Sequence, residues 1–246
     1  MTVSDLGSPA LAGWLLWLAM AGPCMATPQA GSPRMDVHAT GVFLNARGDV
    51  LTARHVVEDC GVVYVVKDAK VVLANIRAIS QNHDLAVLST ELKPYLSATF
   101  PTTMHAQSKS QGVFAEGYSV VQRMPHRASV VFNALSEPDT GELSLLSPVQ
   151  PGASGSPVLS AGLVLGVVVE RVAPGQRPSG SMALSQVGKG VDAHGVSRVK
   201  AVSAEHIKYF LRERAIAFTE SDEPQLGRMQ AQAPRAATLS VGVICG

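Results

Sequence analysis

One short segment of this chain has the composition of a turn that exposes a reactive side chain. It runs from Pro151 to Pro157 and reads Gly-x-Ser-Gly-x-Pro around Ser154, so that small residues flank a hydroxyl. Glycine tolerates the backbone dihedrals of a tight turn, and a hydroxyl displayed on such a turn is a candidate nucleophile. A serine oxygen attacks well only beside a general base, so the chain must also supply that base.

Two further residues carry the groups that such a serine requires. His55 follows a strand-like run that ends at Thr52, and Asp84 opens the run Asp-Leu-Ala-Val-Leu; Asp59 and Asp68 are alternative carboxylates. An imidazole can take the hydroxyl proton and return it to a leaving group, while a carboxylate orients the ring. The order His, Asp, Ser along the chain disfavours an esterase of the α/β-hydrolase type, in which the serine comes first.

In these motifs and in their order the chain resembles the chymotrypsin-fold, trypsin-like serine peptidases, in particular the bacterial Deg-type proteases and glutamyl endopeptidases. The resemblance covers residues 36–216. It implies an all-β fold of two six-stranded antiparallel β-barrels with a C-terminal helix and an active site between the barrels. It further implies a serine endopeptidase without a cofactor, in which the backbone N–H groups of Gly152 and Ser154 bind the oxyanion.

The resemblance also indicates which residues meet the substrate. Pro148 stands where trypsin-like enzymes carry an aspartate at the base of the specificity pocket, so cleavage after Lys or Arg is disfavoured. Val169, Glu170 and Arg171 lie on the strand edge to which a peptide would add by β-augmentation. Val169 suggests an apolar pocket wall for small aliphatic residues. Arg171 is either a partner for an acidic substrate side chain or a solvated residue at the rim.

Ala153, the residue before the candidate nucleophile, indicates how the enzyme becomes active. Relatives that are activated by cleavage carry an aspartate there, which pairs with a newly freed N-terminal amine. Ala153 cannot form that ion pair, so activity is expected not to depend on such an amine. The alternative to an enzyme is a catalytically silent or substrate-activated module that binds peptides in the same cleft.

Strand-like runs and polar segments divide the chain into five parts. These are a signal peptide at 1–26, a first barrel at 36–100, an inter-barrel linker at 101–112, a second barrel with its closing helix at 113–216, and a polar linker with an extra C-terminal strand at 217–246. The stretch 172–195 is rich in Gly, Pro and Ser and predicts a long loop. The length suits one pair of barrels without an appended peptide-binding module.

The N-terminal part predicts export. Residues 11–21 form an apolar stretch of signal-peptide length, and the small residues around Ala26 predict cleavage after it. No Lys or Arg precedes Arg34, so a buried helix or a short anchor is the alternative. The expected location is secreted or periplasmic, without stable membrane insertion after processing. There Cys60 and Cys245 could pair, although two buried thiols are the other reading.

Composition narrows the range of partners. The net charge is +1 and only 16% of the residues are charged, which argues against a nucleic-acid binder. The histidines show no paired spacing typical of metal ligands, so no metal is predicted. An apolar content of 46% suits a β-rich protein with an ample core. The expected partner is therefore a polypeptide substrate, and the oligomeric state is open.

Overall fold

The computed structural model describes residues 37–103, 110–137, 143–172, 182–183 and 197–246. The predicted signal peptide, most of the predicted 172–195 loop and part of the linker at 101–112 lie outside these residues. No helix in the described part of the chain is both long and apolar enough to cross a membrane.

The first barrel is closed and antiparallel. Its strands follow the order β1-β15-β3-β4-β5-β2 around the barrel. Their bounds are Ala39–Phe43 (β1), Asp49–Thr52 (β2), Val63–Lys67 (β3), Lys70–Ile79 (β4), Ala86–Ser89 (β5) and Ser240–Cys245 (β15). In β4, Val72 and Ala74 are buried while Val71 and Leu73 are exposed, as the two-residue period of a strand with one solvated face requires. All five residues of β1 are buried.

The second barrel is also antiparallel, with the strand order β10-β11-β13-β9-β8-β7. The bounds are Gly112–Val113 (β7), Ala134–Ser136 (β8), Leu143–Ser147 (β9), Pro157–Ser160 (β10), Leu163–Val172 (β11) and Ser197–Ser203 (β13). A short strand β12, Met182–Ala183, pairs with β11 outside this order. Backbone hydrogen bonds of 2.9 and 2.8 Å between Phe114 and Leu159 join the two ends of the sheet.

Short helices and one further strand pair complete the described chain. The helices are Tyr118–Arg123 (α1), Ala204–Glu213 (α2) and Ala233–Leu239 (α3), and the remaining strands are Thr99–Phe100 (β6) and Thr219–Glu220 (β14). Ile207, Phe210 and Leu211 form the buried stripe of α2. One apolar core fills the first barrel and extends to α2 and α3, and a second core fills the other barrel.

The predicted fold class is confirmed, because the chain folds into two antiparallel barrels of the chymotrypsin type with few helices. The C-terminal strand is not an addition to that fold. β15 lies between β1 and β3 and is the sixth strand of the first barrel, of which residues 36–100 provide five. The polar segment before it contains α3, and a disulfide joins Cys245 at the end of β15 to Cys60.

Candidate functional site

His55 lies on a single 3-10 turn, Arg54–Val56, that begins two residues after β2 ends. Asp84 lies in the turn between β4 and β5, which the backbone hydrogen bond from Ser80 N–H to Leu85 O closes at 3.0 Å. The Asp84 carboxylate accepts the His55 backbone N–H at 2.9 Å through Oδ1, and its Oδ2 is 2.6 Å from His55 Nδ1. The carboxylate therefore holds both the backbone and the ring of His55.

Ser154 enters the same site from the second barrel. Its Oγ is 3.1 Å from His55 Nε2, and its carbonyl accepts the backbone N–H of Thr40 in β1 at 2.9 Å. The next residue must be glycine. Gly155 has a φ of +86°, and a Cβ built on it would lie 1.8 Å from the Thr40 carbonyl oxygen. The close approach of this turn to β1 thus explains the second glycine of the sequence motif.

The contacts of His55 fix the direction in which a proton can move. A proton must lie between Nδ1 and the carboxylate at 2.6 Å, so in the neutral ring Nε2 carries the lone pair that faces the Ser154 hydroxyl. Burial alone would raise the pKa of Asp84. The hydrogen bonds from the side chain and backbone of His55 and the nearby Arg54 charge outweigh it, and the pKa of Asp84 lies below its usual value. Asp84 is therefore a carboxylate at neutral pH.

The turn before Ser154 displays backbone donors. Ala153 N–H bonds to Gln150 O at 3.2 Å, and Gly152, inside this turn, has a φ of +92°. The Gly152 carbonyl is held by the Thr40 hydroxyl at 2.8 Å. Within the described residues, neither the Gly152 nor the Ser154 N–H has a hydrogen-bond acceptor. Two unpaired N–H groups beside a candidate nucleophile are the arrangement that stabilises an oxyanion.

The four residues expected to meet the substrate occupy different environments. Pro148 follows β9 and is exposed. Val169 is only 8% exposed and belongs to the apolar core. On one side, Glu170 pairs with Lys200 and Arg171 with Val199 of β13. On the other side, Glu170 pairs with Ala183 and Arg171 with Met182 of β12, so both edges of β11 are paired at these two residues. In this structure β12 therefore occupies the edge to which a peptide was expected to add.

Arg171 has polar neighbours at the end of the second barrel. Its Nε donates to Ser197 Oγ at 2.8 Å, and Ser197 is paired across the sheet with Ser147. Both serines are buried, and Ser147 Oγ has no hydrogen-bond partner within the described residues. Arg171 therefore places a guanidinium, a group that binds carboxylates well, beside a pair of buried serines.

Two residues of the site region were not singled out from the sequence. Thr40 connects β1 to the Ser154 turn, but no local pattern reveals a contact between residues 112 positions apart. Glu116 is buried, and its neighbour Gly117 lies against Gly152 of the same turn. The sequence feature that could have revealed it is a carboxylate within the otherwise apolar run 113–118. No group of three or more possible metal-ligating side chains occurs in the described part of the chain.

The chain is similar to several known proteins. The protein y4bJ of Sinorhizobium fredii (strain NBRC 101917 / NGR234) is 30% identical over 156 residues, which are 60% of this chain and 24% of y4bJ. This chain thus spans about a quarter of that relative's length. The HtrA-type protease AlgW with a decapeptide matches with a TM-score of 0.47 and 16% identity over 72% of this chain and 51% of AlgW. The MamO protease domain of Magnetospirillum magneticum matches with a TM-score of 0.46 and 17% identity over 73% and 90%.

The family model for the trypsin-like peptidase domain matches residues 39–167, which include the candidate triad and most of both barrels. This match covers more than half of the chain and agrees with the observed fold and with the resemblance in the sequence motifs. The chain belongs to the trypsin-like peptidase domain family.

Proposed function

We propose that this protein is a serine endopeptidase that hydrolyses peptide bonds through Ser154, His55 and Asp84. One observation carries the proposal. Two linked contacts, 2.6 Å between Asp84 Oδ2 and His55 Nδ1 and 3.1 Å between His55 Nε2 and Ser154 Oγ, connect the three side chains in the order that catalysis needs. They join residues 29 and 99 positions apart, so neighbourhood in the sequence does not explain them.

In this mechanism the Ser154 oxygen attacks the carbonyl carbon of the substrate while His55 Nε2 accepts the hydroxyl proton. Asp84 remains ionised and stabilises the imidazolium that forms. The backbone N–H groups of Gly152 and Ser154 bind the oxyanion, each with about 3–4 kcal/mol of transition-state stabilisation. His55 then gives its proton to the leaving amine, which leaves an acyl group on Ser154. A water molecule, deprotonated by His55, hydrolyses this acyl-enzyme.

The second candidate function is a module on the same fold that is activated only when it engages a peptide. The position of β12 favours it, because β12 pairs with Glu170 and Arg171 at the edge of β11 that follows the Ser154 turn. A peptide that adds to this edge must displace those pairs first. The two candidate functions differ in whether Ser154 reacts with a small reagent that does not bind at this edge of β11.

The guanidinium of Arg171 supports a preference for an acidic substrate side chain. Val169 is packed into the core, whereas Arg171 is a partly exposed cation at this end of the barrel, with its Nε donating to Ser197 Oγ. Cleavage of a peptide library should therefore favour Asp or Glu, and Arg171→Ala should reduce that preference. Arg198→Ala is the matched control, because Arg198 pairs with Glu137 at an exposed position. Unchanged selectivity in Arg171→Ala would contradict the assignment.

The disulfide supports an exported protein. Disulfides persist in oxidising compartments, and the structure pairs Cys60 with Cys245 across 185 residues. We therefore propose the periplasm or the cell exterior as the location. Identification of the N-terminal residue of the protein isolated from its host tests the predicted cleavage after Ala26.

Reaction with a fluorophosphonate tests the proposed function. The reagent phosphonylates a serine oxygen only when a neighbouring base activates it, and its small size makes it independent of the β11 edge. The wild-type protein should be labelled at Ser154, and Ser154→Ala should not be labelled. Ser160→Ala, at the end of β10, should be labelled like the wild type. Absence of labelling in the folded wild type without peptide, but labelling in its presence, would favour the second candidate; absence in both would reject a serine peptidase.

A further inference from the structure

Thr40 is a fully buried residue of β1 to which the proposed mechanism gives no part. Its backbone N–H donates to the carbonyl of Ser154 at 2.9 Å, and its hydroxyl donates to the carbonyl of Gly152 at 2.8 Å. These two carbonyls belong to the residues whose N–H groups are the candidate oxyanion donors. One residue of the first barrel therefore holds both residues of the candidate oxyanion hole.

The direction of the hydrogen bonds at the Thr40 hydroxyl is fixed. The hydroxyl oxygen accepts the backbone N–H of Tyr118, the first residue of α1, at 2.8 Å. Because that N–H can only donate, the single proton of the hydroxyl goes to the Gly152 carbonyl. The two bonds form a chain from α1 through Thr40 to Gly152, and hydrogen bonds in such a chain strengthen one another.

Gly152 depends on this contact because nothing in its own structure holds its conformation. Its φ of +92° is only one of the values that a glycine adopts readily. A Cβ built on Gly152 would meet no atom of the described residues closer than His38 O, at 3.7 Å, so packing on that side does not lock the residue. Only two soft torsions join its N–H to its carbonyl, so a released carbonyl would allow the N–H to change direction.

The start of α1 lies against the same carbonyl. A Cβ built on Gly117 would lie 3.1 Å from Gly152 O and 3.3 Å from Ala153 Cα. Gly117 has a φ of −69° and a ψ of 148°, an extended conformation that any residue adopts, so this glycine serves the close approach and not an unusual backbone shape. The Thr40 hydroxyl and the backbone of residue 117 together fix the place of the Gly152 carbonyl.

We propose that Thr40 is a positioning residue of the proposed peptidase, whose hydroxyl fixes the Gly152 carbonyl and thereby keeps the Gly152 N–H directed at the oxyanion. This inference rests on the proposed function. Ala153 cannot form the ion pair that anchors this turn in enzymes activated by a freed N-terminal amine. The Thr40 hydroxyl anchors the turn from within the first barrel instead, and it does so without a charge.

The variant Thr40→Val isolates the hydroxyl, because valine has nearly the shape of threonine. It keeps the backbone N–H that holds Ser154 and removes the partner of the Gly152 carbonyl and of the Tyr118 N–H. Thr40→Ser retains a hydroxyl at the same position and should restore the wild-type behaviour. A positioning role and a loss of shape are thereby separated.

Thr90→Val is the matched control for lost stability. The Thr90 hydroxyl also donates to a carbonyl, that of Gly48 at 2.8 Å, and also accepts a backbone N–H, that of Leu92 at 3.2 Å. Thr90 follows the end of β5 that is remote from Asp84. The control therefore loses the same kinds of hydrogen bond in the same barrel, away from the Ser154 turn.

Three measurements compare these variants with the wild type from pH 6 to pH 9. They are the kinetics of peptide hydrolysis, the rate of labelling of Ser154 by the fluorophosphonate, and inhibition by a peptidyl trifluoromethyl ketone. In the last reaction the Ser154 oxygen bonds to the ketone carbon, its proton passes to His55, and the carbonyl electron pair moves to the oxygen, which becomes an oxyanion. The affinity for the ketone therefore reports on the oxyanion donors directly.

For Thr40→Val we expect kcat, the labelling rate and the affinity for the ketone to fall about tenfold to hundredfold, with KM nearly unchanged. Loss of a whole oxyanion donor costs about 10²–10³ in kcat, and a misdirected donor costs less. A donor that acts only in the transition state changes kcat and not KM. The ratio of wild type to variant should be the same at every pH, because the hydroxyl does not titrate in this range. Thr90→Val should stay within about twofold of the wild type.

Each outcome bears on a different conclusion. If Thr40→Val keeps the wild-type kcat and affinity for the ketone, or if Thr90→Val loses as much, the positioning role is overturned while the peptidase assignment stands. If the folded wild type is not labelled with or without peptide, the peptidase assignment fails and this inference fails with it. If Thr40→Val does not fold, Gly117→Ala replaces it, because its methyl group pushes the Gly152 carbonyl without removing a hydrogen bond. A lower kcat at unchanged KM then supports the proposal, and a wild-type kcat overturns it.

Discussion

Breaking the disulfide between Cys60 and Cys245 should destabilise the protein strongly. The cross-link closes a loop with a sequence separation of 185 residues, and it joins the last strand of the first barrel to the segment that follows His55. In the chain-entropy model, a loop of this length corresponds to about 5 kcal/mol of stabilisation, through restriction of the unfolded chain. Since whole domains are stable by about 5–15 kcal/mol, loss of the bond removes a third or more of the total.

Urea unfolding of the oxidised wild type and of the double variant Cys60→Ser/Cys245→Ser measures this effect. Cys60 is half-buried and Cys245 is exposed, so the serine substitutions themselves remove little packing. The midpoint should fall by roughly 2 M urea and the melting temperature by roughly 10–20 °C. The wild type treated with reductant should behave like the double variant. A difference below about 1 kcal/mol would refute the entropic argument.

Three further predictions concern the site. Gly155→Ala should destabilise the protein by more than about 2 kcal/mol and abolish labelling of Ser154, because the added Cβ would collide with the Thr40 carbonyl oxygen. A Gly155→Ala variant as stable as the wild type in urea unfolding would contradict this. Asp84→Asn should lower kcat by about 10⁴-fold in peptide hydrolysis because it favours the wrong imidazole tautomer, and a loss below tenfold would argue against the triad. One extra residue at the processed N-terminus should leave kcat/KM unchanged because Ala153 cannot pair with an amine, whereas loss of activity would show that a free N-terminus is needed.

Local patterns in the sequence were sufficient to single out the three side chains of the candidate triad. Ser154 lies in a glycine-rich turn, while His55 and Asp84 lie beside strand-like runs, and these signals depend only on immediate neighbours. The fold class and the family followed from the order of those motifs, and both are confirmed. The distances that join the three side chains could not be read from the sequence, because they depend on how two barrels meet.

What the sequence did not reveal depends on contacts between distant positions. β15 has the composition of a strand, but its place between β1 and β3 is set by pairing with residues about 200 positions earlier, such as Val241 with Gly41. The sequence likewise predicted only a loop at 172–195 and not the pairing of Met182–Ala183 with β11, because a two-residue strand leaves no periodicity to detect. Only the three-dimensional chain shows which edge each strand meets.

Thr40 shows why the remote C-terminal strand matters to the candidate active site. On one side of β1, Thr40 pairs with Gly242 of β15; on the other, its backbone N–H and its hydroxyl hold the carbonyls of Ser154 and Gly152. The turn that carries Ser154 is therefore held by a strand that is itself held by the last strand of the chain. If β15 left the barrel, β1 would lose the backbone pairing on that side, and the turn would lose its rigid support. The geometry of Ser154 thus depends on residues 240–245 as well as on its own glycine-rich loop, which is why no short window of the sequence contains the whole site.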